Sequence, residues 1–269
     1  MNIFIVGLGL MGSAYALRLS NKGHDVNGFD VNPENRTFNL KEKRIKSDQL
    51  ELLKIADVVI LALPQTACLA FTKDHLDTLK EIPLVTDIAG VKVPLVSALT
   101  ALLKEHYISH HPMTGKESSG PIESSDIEFK GKNVIIIEHQ ADLETETLLR
   151  RLLSDLELAE PSLMSAKCHD EAIAFTSHLP HVLAACMMHQ PGLEDFKKAA
   201  GNSFFETTRF AAMNTDLWTD LLTANQGALF ATLESYITAL SEFKKQLDSK
   251  EDLKHYLTSS FERYKKLKG

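Results

Sequence analysis

The run Gly7-Leu8-Gly9-Leu10-Met11-Gly12 constrains the fold more than any other stretch of the chain. It follows an apolar, strand-like segment, Asn2–Val6, and opens a helical pattern, Gly12–Asn21. A G-x-G-x-x-G string in that context is the fingerprint of a dinucleotide-binding βαβ unit. The first glycine makes the tight turn, the second lets the backbone approach a pyrophosphate, and the third lets helix and strand pack closely. The helix N-terminus then offers unpaired N–H groups and a positive dipole end to the phosphates. Asp30 closes the next strand, Asp25–Phe29. A carboxylate there accepts bonds from both ribose hydroxyls and repels a 2′-phosphate, which favours NAD. Arg36 lies nearby and keeps NADP open as the alternative.

Further strand-like runs at Val58–Leu63, Leu84–Asp87, Tyr107–Ser109 and Asn133–Glu138 alternate with helical patterns at Ser47–Leu53, Thr66–Leu79, Val91–Leu103 and Leu143–Leu156. Short apolar strands alternating with helices imply parallel pairing with right-handed crossovers. The expected fold class is α/β: an N-terminal Rossmann-type doubly wound parallel sheet followed by an all-α C-terminal domain. The division is expected near Glu160–Pro161, with residues 1–161 binding the dinucleotide and 162–269 forming a helical substrate-binding and dimerisation domain. Helical patterns there cover Ala166–Met188, Leu193–Ala200, Asp216–Gln246 and Lys250–Lys266. The third is apolar on more than one face, through Leu229, Phe230, Leu233, Tyr236, Ile237 and Leu240. Such a helix is buried in a core or between subunits. Leu63 and Pro64 end one strand and Thr86–Gly90 ends another. Carboxyl ends of strands line the cofactor crevice in this architecture, although Pro64 also reads as a plain strand terminator.

Composition narrows the partners. A net charge of −7 argues against nucleic acid or an anionic membrane. No apolar run approaches the ~20 residues that a membrane span needs. Cys68, Cys168 and Cys186 are too widely spaced for a disulfide framework or a metal cluster, and no leader-like segment precedes the first strand. A cytoplasmic protein with reduced thiols is expected.

The segment His110-His111-Pro112-Met113-Thr114-Gly115-Lys116-Glu117-Ser118-Ser119-Gly120 follows Tyr107–Ser109. A histidine at a strand's carboxyl end, beside a nicotinamide, is placed to handle a proton, and its ordinary pKa of ~6.5 suits that work. His111-Pro-Met-x-Gly with Glu117 and Gly120 resembles the hallmark loop of prephenate dehydrogenases. His169-Asp170 with Ser177-His178-Leu179-Pro180-His181 resembles that family's second signature, and Thr208-Arg209-Phe210-Ala211 with Asp216-Leu217-Trp218 its third. The resemblance covers roughly residues 1–245.

The resemblance implies oxidative decarboxylation of prephenate to 4-hydroxyphenylpyruvate with NAD, or of arogenate in some members, by a homodimer. It makes His111 the catalytic base, Arg209 the partner of the ring carboxylate, His181 a ligand of the substrate side chain, and His178 a support of the site. Glu117 falls at the mouth of the site, gating access or bonding cofactor or substrate. A neutral imidazole accepts a proton and a protonated one does not, so activity is expected to fall as pH drops through the pKa of His111. His178 and His181 share a helix face at i, i+3. That spacing also fits a metal pair, but no third ligand is evident and the reaction needs no Lewis acid. Lys92 reads as structural and Trp218 as core.

Two positions depart from the family pattern. Gly90, in Asp87-Ile88-Ala89-Gly90-Val91-Lys92, stands where most members carry a serine that orients the catalytic histidine. The orienting hydroxyl is then absent, or replaced by water or Ser109. Phe205 stands where an arginine is common. Another reductase of the same two-domain shape, and a cofactor-binding sensor without chemistry, are the competing readings. Intact His111, His181 and Arg209 speak against the sensor.

Overall fold

The structure is a computed structural model, and it describes residues 1–116 and 120–268. Strands β1 (Asn2–Val6), β2 (Asp25–Phe29), β3 (Val58–Leu61) and β4 (Leu84–Asp87) form a parallel sheet in the order β2-β1-β3-β4. Helices α1 (Leu10–Asn21), α2 (Pro33–Lys41), α3 (Gln65–Asp74), α4 (Leu76–Leu79), α5 (Val93–Leu103) and α6 (Leu143–Asp155) cover it on both faces. The pleat divides the apolar strands between two cores. Ile3, Ile5, Val58 and Ile60 join Ala14, Tyr15, Leu19, Leu149 and Leu152 on one side. Phe4, Val6, Val59 and Leu61 join Cys68, Leu95 and Leu99 on the other. Burial on both faces explains why these strands read as continuous apolar runs.

A second sheet departs from the all-parallel expectation. β5 (His110–Pro112) runs antiparallel to β6 (Val134–Ile137), which pairs in parallel with β7 (Ser162–Met164). The run expected as a strand, Tyr107–Ser109, makes only a single bridge to β4, Tyr107 to Val85. The strand is the His-His-Pro segment itself, so the two histidines lie within a strand rather than beyond its end. β7 escaped the sequence reading because Ser162 and Leu163 are exposed and give no apolar alternation. It extends the sheet past the boundary expected at 161. The pattern Ser47–Leu53 proves to be a 3-10 segment, Leu50–Ile55. The helix in that crossover is α2, with Asn32 accepting from the Glu34 N–H and Pro33 in its first turn. A cap followed by proline was the available signal.

The helical half follows. α7 (Ala166–Ile173), a π-helical turn at Ala174–His178 and α8 (Leu179–Met188) run on without interruption. α9 (Leu193–Phe196) and α10 (Asn202–Thr208), the latter unexpected, lead to α11 (Thr215–Ala224), α12 (Gln226–Gln246) and α13 (Lys250–Lys268). The single helix expected over Asp216–Gln246 breaks at Asn225, whose side chain turns inward to bond the backbone of α7. Among the described residues of α12 only Leu229 is buried, while Ile237 and Leu240, and on α13 Leu257 and Phe261, are at least half exposed. No helix among the described residues is long and apolar enough to cross a membrane.

The glycine turn is sterically fixed. Gly7 has φ +93°, and a Cβ on Gly12 would fall 1.8 Å from the Gly7 carbonyl oxygen, whereas one on Gly9 would meet nothing within 4 Å. Gly12→Ala is therefore expected to cost about 1–3 kcal/mol or more through overpacking, and Gly9→Ala under about 1 kcal/mol. Urea denaturation midpoints of the two variants check this; equal midpoints would contradict it.

Candidate active site

The dinucleotide crevice is built by β1, β2 and the start of α1. No side chain caps α1, so its first N–H groups point outward past Gly9. Asp30 lies at the end of β2, where it accepts from the Leu8 N–H (2.6 Å), the Asn32 N–H (2.8 Å) and the Asn35 amide (3.2 Å). The Leu8 amide is thus committed to Asp30, and its side chain is buried. Leu10 and Met11 are partly buried at the helix start, and Leu63 and exposed Pro64 flank the crevice at the start of α3. Arg36, the residue that kept a 2′-phosphate open, pairs with Asp48 (3.4 Å) and lies over the Phe29 ring. An uncapped helix start, an open Gly9 and a carboxylate at the β2 end fit a dinucleotide without a 2′-phosphate.

Behind the crevice sits a buried ion pair. Lys92 Nζ donates to Asp87 Oδ1 (2.9 Å) and to the His110 carbonyl (2.8 Å), and neither side chain is exposed. The Tyr107 hydroxyl donates to Asp87 Oδ2 at 2.6 Å. Burial opposes the carboxylate's charge, but Lys92 and the Tyr107 hydrogen bond, with the Ser109 hydroxyl close by, hold its pKa down. Burial lowers Lys92 against the pull of Asp87. The pair clamps the end of β4 to β5, so Lys92 is structural, as its place in the sequence indicated.

The pleat sends the two histidines of β5 to opposite sides. His110 points inward between the Tyr15 hydroxyl (2.8 Å) and the Thr86 hydroxyl (2.7 Å), and burial first, then Lys92, pushes its pKa down to about 3. His111 points the other way, toward His169 of α7 and past Gly90. Its Nδ1 lies 2.9 Å from His169 Nε2, and His169 Nδ1 lies 2.7 Å from Asp170 Oδ1. Among the described residues, His111 Nε2 has no hydrogen-bond partner. Burial, followed by Lys92 and the neighbouring histidines 169, 110 and 178, holds the His111 pKa well below 6.5. A Cβ on Gly90 would lie 4.0 Å from His111 Cε1 and 3.3 Å from Leu221 Cδ2. Position 90 thus borders the His111 ring. The ring that meets His111 Nδ1 is His169, not the substitute weighed from sequence: Ser109 is buried against Asp87 and Tyr107.

The other candidates gather around Trp218 on α11. His178 is buried, stands edge-on to Trp218 (5.8 Å) and lies 3.3 Å from the Asn225 amide. Burial and then His181 lower its pKa to about 4. His181 stacks on Trp218 at 3.5 Å and 24°, and its Nδ1 donates to the Ser177 carbonyl (2.9 Å). Phe210 packs on His181 (4.5 Å), and the exposed Arg209 guanidinium lies 4.0 Å from the Phe210 ring centre. The structure therefore links His111, His178, His181 and Arg209 through one chain of contacts. Trp218, read as core, is the wall joining two of them. Glu117 lies outside the described residues. Phe205 is exposed on α10 among Met188, Phe196 and Phe204. His169, Asp170 and Asn225 received no role from the sequence; the available signals were an adjacent His-Asp pair at a helix start and a lone polar residue in an apolar run.

A glycine-turn crevice facing a histidine-lined cleft defines a two-domain, dinucleotide-dependent oxidoreductase. The family "Prephenate dehydrogenase, nucleotide-binding domain" matches residues 13–157, and "Prephenate dehydrogenase, dimerization domain" matches residues 165–261. The chain belongs to the prephenate dehydrogenase family. It is 29% identical to a cyclohexadienyl dehydrogenase of Zymomonas mobilis, covering 96% of this chain and 93% of that one. It is 31% identical to a prephenate dehydrogenase of Lactococcus lactis, covering 91% and 69%. The crystal structure of prephenate dehydrogenase from A. aeolicus in complex with hydroxyphenyl propionate and NAD+ superposes with a TM-score of 0.87 at 26% identity, covering 99% of this chain and 98% of that one.

The depressed histidines make stability depend on acid. Above pH 6.5 they are neutral in both folded and unfolded chains and contribute nothing. As pH falls below 6.5 the unfolded chain takes up protons that folded His110, His111 and His178 refuse. Stability then drops by up to ~1.4 kcal/mol per pH unit for each histidine, down to about pH 4 for His178 and about pH 3 for His110. Urea midpoints should fall accordingly between neutral pH and about pH 4, and a flat profile would contradict the depression.

Proposed function

We propose that this chain is an NAD-dependent dehydrogenase that converts prephenate to 4-hydroxyphenylpyruvate with loss of carbon dioxide. The reading is carried by His111, an imidazole whose pKa is held low, whose Nδ1 is bonded within the protein and whose Nε2 bonds no described residue. Gly7, Gly9 and Gly12 shape the pyrophosphate seat, with Leu8, Leu10 and Met11 supplying its backbone and Asp30 taking the ribose hydroxyls. Leu63 and Pro64 border the nicotinamide end. NAD, when bound, accepts a hydride from the ring carbinol carbon. His111 Nε2 takes the hydroxyl proton as that oxygen becomes a carbonyl, and the ring aromatises by releasing its carboxyl group as carbon dioxide. Arg209 offers a rigid two-pronged donor to the ring carboxylate. His181, held flat by Trp218, meets the side-chain end, and His178 supports it. Glu117, by the family resemblance, gates access or bonds cofactor or substrate.

The exposed apolar residues of α12 and α13, together with the family's dimerisation domain, support a homodimer closing over those helices. Such faces are of the kind that mark interaction sites. The net charge of −7 gives nucleic acid no footprint, and the free cysteines suit the cytoplasm.

The decisive assay mixes purified protein with NAD or NADP and with prephenate or arogenate, following absorbance of the reduced cofactor and carbon dioxide. Activity with prephenate and NAD is expected. A preference for arogenate would reassign the substrate, and silence in all four mixtures would overturn the reading. His111→Asn should lower kcat about 10²–10⁴-fold, while Arg209→Lys should act mainly by raising KM for substrate. The His111 pKa lies below the ordinary value, so the fall in activity expected from the sequence moves to more acid solution. The rate should still hold at pH 6.5. A drop centred at or above 6.5 would remove His111 as the titrating base.

A further inference from the structure

His111 can accept a proton at Nε2 only if its own ring proton sits on Nδ1. What fixes that proton lies one and two residues deeper. Asp170 is held by α5: its Oδ1 accepts the Lys92 N–H (2.8 Å) and its Oδ2 the Val93 N–H (2.8 Å). The start of a helix stabilises a carboxylate by its dipole and its unpaired N–H groups. The Asn225 side-chain amide donates to the Asp170 carbonyl at 2.8 Å, which fixes the backbone as well. Asp170 is 3% exposed and His169 is 0% exposed, so neither exchanges its partners for water.

The rest is bookkeeping of donors and acceptors. An ionised carboxylate only accepts, so His169 must present Nδ1–H to Asp170 Oδ1 across 2.7 Å. A neutral His169 then has only a lone pair at Nε2. His111 Nδ1 faces that lone pair at 2.9 Å and must carry the hydrogen. His111 Nε2 is left as the acceptor facing the cleft. Lys92, His110 and His178 also surround His111. Lys92 and His110 have their polar atoms engaged elsewhere, and the ring nitrogen of His178 for which a contact is resolved meets Asn225.

We propose that His169 and Asp170 are positioning residues that lock His111 as the Nδ1–H tautomer and so make its Nε2 a base. The role extends the function proposed above and rests on it for turnover, but the tautomer itself does not. As the substrate O–H bond breaks, its proton bonds to His111 Nε2. The resulting imidazolium keeps Nδ1–H on His169, with the Asp170 carboxylate behind to balance the charge. The electron pair left on the oxygen forms the carbonyl as the carbinol carbon gives up its hydride to the dinucleotide.

Nitrogen-15 NMR of the histidine rings reads the tautomer in the protein without substrate or cofactor. His111 is expected as Nδ1–H and His169 as Nδ1–H at neutral pH. His111 found as Nε2–H, or His169 doubly protonated, would overturn the proposal. Kinetics give the second arm. His169→Leu removes the acceptor and should lower kcat by about 10²–10⁴-fold, as loss of a tautomer-fixing partner does elsewhere, with KM for substrate little changed. His169→Gln restores an oxygen that accepts from His111 Nδ1–H and should recover most of that loss. Equal losses in the two variants, both folded by circular dichroism, would also overturn it. If the tautomers are as stated while wild-type protein turns over neither prephenate nor arogenate, the failure belongs to the functional reading and not to this one.

Discussion

The carboxylate of Asp170 is the joint on which the two halves of this protein meet. It belongs to the first helix of the C-terminal half, yet it caps the helix that follows β4 of the sheet by accepting the N–H groups of Lys92 and Val93. The same residue holds His169, and its carbonyl receives Asn225 from the break between α11 and α12. One buried residue thus fixes the start of α5 and the orientation of His169 through its side chain, and the break between α11 and α12 through its backbone. An unpaired carboxylate there would face the full cost of a buried charge. Its three N–H partners remove that cost and make the arrangement rigid.

A second buried charge contributes to keeping the two histidines of β5 neutral. Lys92 and Asp87 sit together behind β5, and Lys92 spends one donor on the His110 carbonyl. Burial does most to discourage protonation of both histidines on that strand, and the ammonium adds to it. The strand therefore carries two imidazoles with the same charge and different duties. His110 is stitched to Tyr15 and Thr86 and serves packing, while His111, on the other face of the pleat, keeps a nitrogen toward the cleft. A one-residue slip in β5 would exchange the two. The antiparallel register with β6, His111 opposite Ile135, is what prevents the slip.

Much of this was legible in the sequence where the cause is local. The glycine turn was legible because sterics dictate it: Gly7 needs positive φ, and Gly12 has no room for a Cβ. β1 and β3 were legible because burial on both faces leaves unbroken apolar runs. α2 was missed because its sequence is polar, although Asn32-Pro33 announced its start. β7 was missed because an exposed edge strand has no apolar face to reveal it. The break at Asn225 was hidden inside a helical pattern, since its cause is a hydrogen bond to a residue far away in the chain. For the same reason His111 and His169 could each be singled out by a family-like string, while their pairing could not. Their contact depends on how the two halves dock, and no local pattern encodes that.

The glycine at position 90 takes on a different meaning once that docking is known. Read along the chain, it removes a hydroxyl beside the base. In three dimensions it borders the His111 ring at a point where Leu221 of α11 already fills the space, 3.3 Å from where a Cβ would stand. The nitrogen of His111 that needs a partner inside the protein is met from the opposite half, by His169. A small residue at 90 lets α11 close down on the cleft, and α11 also carries Trp218, the ring on which His181 rests. The glycine and the tight approach of α11 are two aspects of one packing arrangement, in which the contact made by His111 Nδ1 comes from the helical half instead of from the strand beside it.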